Sequence, residues 1–133
     1  MHEILSPFVG TGLTLACIGM ILATSLAHSL LGERRLLGPL LAQRGGVLDS
    51  ELARFLLRAV WHFMTLLFWI LAMGLAAGLH SRDRAAFALL AAVAGGIGGA
   101  GIFDAVGSRG KHIGWPMLVL TGLLAGLALL TRL

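Results

Sequence analysis

The sequence predicts an all-α protein, an integral membrane four-helix bundle of up-down topology with both termini on the outer side. Three observations carry that expectation. Of the 133 residues, 58% are hydrophobic and only 12% charged, and the mean hydropathy of +0.94 lies outside the range of ordinary soluble domains. Four apolar runs are each about 20 residues long, the length that crosses a hydrocarbon core as a helix. The basic residues stand at the ends of those runs and not along one polar face, so a net charge of +4 needs no nucleic-acid partner to explain it.

The runs are Phe8 to Leu31, Ala59 to Leu79, Ala85 to Phe103 and Ile113 to Thr131. Pro7 precedes the first, Asp49 or Ser50 is placed to cap the second, and Pro116 falls in the opening turn of the fourth. The expected helices therefore cover about 8–31, 54–80, 84–105 and 113–132 of a single transmembrane domain, 1–133, with one substantial loop at 32–53. The link "SRDR" is so short that the second and third helices must form a hairpin. The opening "MHEILSPFVG" has no basic stretch ahead of its apolar run, so the first helix reads as retained and not as a cleaved signal. The single cysteine, Cys17, excludes a disulfide framework or a cysteine metal site.

Orientation follows from the basic residues of the short loops. The first loop and its flanks hold Arg34, Arg35, Arg44, Arg54 and Arg58, and the third holds Arg109 and Lys111. Against these seven stand three, Arg82, Arg84 and Arg132, which puts the first and third loops in the cytoplasm. In the first loop Leu36, Leu37, Leu40 and Leu41 recur at helical spacing among arginines, predicting a short helix in the headgroup region, interrupted at Gly38–Pro39. Arg34, Arg35, Trp61 and Trp115 are expected at the same level, in contact with lipid headgroups.

The third run contains "AAVAGGIGGAG". Ala91, Gly95 and Gly99, and likewise Ala92, Gly96 and Ala100, repeat every four residues, a spacing that lets helices approach closely in lipid. A helix-packing face is therefore expected at Ala92, Gly95, Gly96 and Gly99, directed at the second helix, the fourth helix or another protomer. These glycines are no dinucleotide loop, which needs a strand before it and a helix start after it.

The ionisable residues converge on one leaflet. His28 lies toward the loop end of the first helix, Arg58 and His62 open the second, Asp104 ends the third and His112 opens the fourth. Arg58, His62, Thr65 and Trp69 share one stripe, Ser25, His28 and Gly32 another, and His112 and Trp115 stand three apart. Charged and imidazole side chains are costly against lipid, so the stripes are expected to turn inward and enclose a polar site open to the cytoplasm. Its members are His62, His28, Asp104, His112, Arg58 and Thr65, with Asp104 an ion-pair partner for Arg58 or Arg109. His2, Glu3 and His80 are expected exposed on the outer side.

The stretches "HSLLGERRLLGPLL" (28–41), "RAVWHFMTLLFW" (58–69) and "GSRGKHIGWP" (107–116) resemble a set of small bacterial four-helix inner-membrane proteins of unassigned function. The resemblance spans about three quarters of the chain and implies a multi-pass location in the bacterial inner membrane. It implies no activity.

With no soluble domain, nucleophile motif or phosphate loop, the chain is expected to act as a binding module or accessory subunit of a larger membrane assembly. Its expected partners are the lipid bilayer and either copies of itself or a larger complex. One alternative is a small oligomeric transporter, channel or proton-handling protein, since histidine titrates near neutral pH and a His, Asp and Arg cluster serves a relay. Another is a metal or haem protein in which His28, His62 and His112 supply ligands, although no pair has diagnostic spacing and no cofactor can be named. An enzyme is least expected, because Glu33 and Glu51 fall in the loop and no nucleophile stands at a suggestive spacing.

Overall fold

The computed structural model describes residues 2–132, with side chains from Phe8 onward. The expectations for the side chains of His2, Glu3 and Pro7 fall outside the described residues. The described chain is helical throughout, with four helices joined by short links.

The first helix does not end near Leu31. It runs from His2–Gly32 through a π-helical turn, Glu33–Leu37, into a last α-helical stretch, Gly38–Ala42. Pro39 is the physical reason for the wider turn: it has no N–H to donate, and its ring collides with the carbonyl four residues back in an α-helix. Widening by one residue, with the Gly38 N–H donating to the Glu33 carbonyl five positions back, lets the chain pass the proline without breaking. The expected interruption at Gly38–Pro39 is thus a π-turn, and the expected loop 32–53 shrinks to residues 43–50.

That link reverses direction through Gly45 (φ 131°) and Gly46 (φ 58°), both in a region that side chains disfavour. The Gly45 N–H donates to Asp49 Oδ1 at 2.9 Å, while Ser50 caps the second helix, Glu51–Ala77, by accepting the Ala53 N–H at 3.3 Å. Asp83 caps the third helix through the Ala86 N–H at 2.8 Å. The third helix comprises Arg84–Ala92, a second π-turn at Val93–Ile97 and Gly98–Gly107. It closes in a Schellman motif, with Gly110 N–H on the Ala105 carbonyl and Arg109 N–H on the Val106 carbonyl, and Arg109 occupies the left-handed position (φ 53°) where glycine is usual. The fourth helix, Trp115–Leu130, carries Pro116 in its first turn as the sequence predicts.

By length and composition the first three helices are able to cross a membrane, and the fourth, of 16 residues, is a shorter apolar helix. In space the order is second, first, fourth, third: the first helix packs on the second and the fourth, and the third packs on the fourth. The second and third meet near their hairpin, where Gly74 faces Leu89 and Gly78 faces Ala86.

The closest approach joins the third and fourth helices through Gly98 and Gly122, whose backbones touch, with Gly101 against Leu118 and Val119. The expected packing face is not the one used within the chain. Gly95, Gly96 and Gly99 have open space where a side chain would point, and Ala92 is exposed. The interior consists mainly of small or hydroxyl side chains, including Thr14, Cys17, Ser25, Thr121, Ala125 and Ala128. Bulky Phe8, Val60, Ile70, Met73 and Phe103 point outward, Phe103 at 80% exposure. Ile21, Leu75, Leu90 and Val93 are buried among the interior residues.

At the end that carries the hairpin, Arg132 acts as a clamp. Its guanidinium donates to the carbonyls of Gly78 (3.3 Å), Leu79 (3.1 Å) and Ser81 (3.1 Å) and to Thr14 Oγ1 (3.1 Å). These carbonyls follow the second helix, at the negative end of its dipole.

Candidate functional site

Ser29 and Glu33 stand one turn apart on the first helix, Arg58 and His62 one turn apart on the second. Because the helices run antiparallel, Ser29 faces His62 and Glu33 faces Arg58, and Glu33 also reaches His62. Arg58 Nη2 lies 2.9 Å from Glu33 Oε1, His62 Nε2 lies 3.2 Å from Glu33 Oε2, and Ser29 Oγ lies 2.8 Å from His62 Nδ1. An ionised carboxylate only accepts, so His62 Nε2 carries the hydrogen toward Glu33. In the neutral ring Nδ1 then accepts from the Ser29 hydroxyl, whereas in the imidazolium it donates to the Ser29 oxygen. The arrangement serves either charge state of His62 without moving a heavy atom.

Beside this ladder His28 stacks on Trp61, ring centroids 4.3 Å apart and 9° from parallel. Trp61 Nε1–H donates to the His28 carbonyl at 3.2 Å, and His28 Nε2–H donates to the Trp61 carbonyl at 3.3 Å. The indole lies where a side chain on Gly32 would have to go. Trp61 is therefore part of the interface between the first two helices.

Thr65 Oγ1 is buried without a hydrogen-bond partner. A helical threonine ordinarily donates to the carbonyl four residues back. Here that carbonyl belongs to Trp61 and already receives His28. One further turn along, Trp69 Nε1–H donates to Ser25 Oγ at 3.0 Å. Arg58, His62 and Trp69 of the expected stripe thus all meet the first helix, through Glu33, Ser29 and Ser25.

The expected single site resolves into two. Asp104 pairs with His112, its Oδ2 lying 2.5 Å from Nδ1, and with neither Arg58 nor Arg109. His62 answers to Ser29 and Glu33, His28 to Trp61, and His112 to Asp104. Among the described residues no three His, Cys, Asp or Glu side chains gather to hold a metal ion. The reason is the lateral order: the second and third helices separate beyond their hairpin, so the four helices do not close around one cavity. What joins the two pairs is a groove between the first and fourth helices, lined on one side by His28 and Trp61 and on the other by His112. Trp115 Nε1–H donates to the Gly110 carbonyl at 3.3 Å, tying the last turn, and Arg34 and Arg35 are exposed.

Sequence reasoning missed Ser29 and Glu33, because it ended the first helix at Leu31 and assigned Glu33 to a loop. The signal was present: Ser29 and Glu33 have the same four-residue spacing as Arg58 and His62. No protein family, characterised protein or solved structure matches this chain.

Proposed function

We propose that the chain is a four-span protein of a bacterial inner membrane, termini on the outer side, that serves as a binding module or accessory subunit of a larger membrane assembly. The seven-to-three asymmetry of basic residues supports the orientation. Bulky apolar side chains facing outward around a small-residue interior support insertion. The observation that carries the accessory role is the open face of the third helix: Gly95, Gly96 and Gly99 have nothing within reach, while the glycines that join the third helix to the fourth are Gly98, Gly101 and Gly122. A glycine face without a neighbour is matched in lipid by another helix, since close backbone approach is what small residues provide there.

The test places a photoreactive side chain at Ala92, on that face, and at Phe63, on the outward side of the second helix. The expected result in membranes is one discrete cross-linked species from position 92 and none from 63. Equal labelling at both positions, or none at 92, refutes the accessory role.

A second reading, a small oligomeric proton-handling protein, has one observation in its favour: His62 stands between a hydroxyl and a carboxylate. The hydroxyls of Thr14, Thr24, Ser25 and Thr121 all donate to carbonyls of their own helices and offer no onward chain. Proton flux in liposomes that His62→Ala abolishes supports this reading, and no flux from the intact protein removes it.

A further inference from the structure

The first and fourth helices are in contact where Gly10 meets Thr131 and Cys17 meets Thr121, and they part toward His28 and His112. The groove this leaves has a volume of about 420 Å³, within the range of roughly 300–1,000 Å³ typical of small-molecule sites. Leu31 and Leu36 of the first helix and Ile113, Met117 and Leu118 around the start of the fourth make it apolar. Its few polar groups include Arg35 and His112.

The charge around this groove is one-sided. Glu33 pairs with Arg58 and His62 and Asp104 with His112, while Asp49 accepts the Gly45 N–H and the exposed Glu51 lies 3.9 Å from Arg54. Arg34, Arg35, Arg109 and Lys111 have no ion-pair partner among the described residues. His112 commits Nδ1 to Asp104 and keeps Nε2 available. An apolar slot that ends at an unpaired guanidinium and an imidazole nitrogen complements one class of molecule, an acyl chain with an anionic head.

We propose that this groove binds one anionic phospholipid, its acyl chain against Leu31, Met117 and Leu118 and its phosphate on Arg35, with His112 as the second contact. The proposal rests on the membrane reading above and adds to it a site of defined chemistry. Arg35 is the specificity-determining residue, because its fixed positive charge meets the phosphate and no carboxylate pairs with it. Trp61, on the groove wall, is a built-in reporter.

The test uses the full chain with Trp61 as sole tryptophan (Trp69→Phe and Trp115→Phe), reconstituted in phosphatidylcholine vesicles. Brominated-chain phosphatidylglycerol, phosphatidylcholine or stearate is doped in, and quenching of Trp61 is followed against mole fraction. Brominated phosphatidylglycerol is expected to quench at a mole fraction about fivefold lower than brominated phosphatidylcholine, the effect of one arginine on an anionic headgroup. Arg35→Gln is expected to abolish the difference and Arg35→Lys to retain most of it, while Ala27→Phe, which fills the groove, reduces quenching by every lipid.

Equal quenching by the two phospholipids, or a preference that survives Arg35→Gln, overturns the proposal. Brominated stearate acting at as low a mole fraction as phosphatidylglycerol assigns the groove to a free acid and overturns it also. Protein that fails to float with the vesicles overturns the membrane reading itself, and the site with it. Protein that floats but shows no preference overturns the lipid site alone.

Discussion

At Gly32 the packing accepts a hydrogen atom and nothing larger, because the Trp61 indole occupies the place of a β-carbon. That one position lets the first two helices come close enough for His28 and Trp61 to exchange hydrogen bonds with each other's backbone across the interface. Gly32→Ala forces the ring away and breaks the stack, and overpacking of this kind costs about 1–3 kcal/mol. The expected outcome is a lower midpoint in denaturant titration together with a weakened near-ultraviolet tryptophan signal. Glu33 acts differently: at one-third exposure its pairs with Arg58 and His62 orient side chains more than they stabilise the fold. Thr65 shows a cost of the exchange between His28 and Trp61, since its hydroxyl goes without a partner while His28 holds the Trp61 carbonyl.

Among the elements, helix ends carry most of the local signals, and the hairpin end of the third helix is the most legible in solution. The Ala86 N–H, and after it the Ser81 hydroxyl, hold the exposed Asp83 carboxyl below its ordinary value. A carboxyl whose value is lowered by folding contributes stability that is fully present above its unfolded value, about 4, and lost as pH falls through its folded value. The melting temperature of the protein is therefore expected to fall in acid, below about pH 4. Asp83→Asn keeps the cap and loses that part of the pH response. Identical acid profiles for the two proteins would show that the cap is not formed. Glu33, where the π-turn Glu33–Leu37 begins, stands one α-helical turn after Ser29, and the two share the face that meets His62.

Across the whole molecule the two ends are held by different means. One end is tied by Arg132, whose four hydrogen bonds join the fourth helix, the first helix and the hairpin. Arg132→Ala takes the charged donor from the Leu79 and Ser81 carbonyls and removes a charge-assisted set, so it is expected to cost about 2 kcal/mol. Faster hydrogen exchange at Gly78, Leu79 and Ser81 is the accompanying readout, and unchanged exchange there would remove the clamp. The other end has no such tie. There the second and third helices diverge, and the first and fourth leave a groove between them.

The sequence by itself determined that four apolar helices form, that Ser50 and Pro116 mark the starts of two of them, and that Arg58, His62, Thr65 and Trp69 share one face of the second. Each follows from chain-local physics: hydrocarbon-length runs, caps that satisfy free N–H groups, and the helical period. Only the tertiary structure decided the lateral order of the helices, the choice of Gly98 and Gly101 over Gly95 and Gly99, and the engagement of Glu33 with His62. Spacing says which residues share a face and not which neighbour that face meets. The third helix offers two small-residue faces of nearly the same composition, Ala91, Gly95 and Gly99 on one and Ala94, Gly98 and Gly101 on the other. Apolarity does not distinguish them, so the match of backbone to backbone at Gly98 and Gly122 makes the choice.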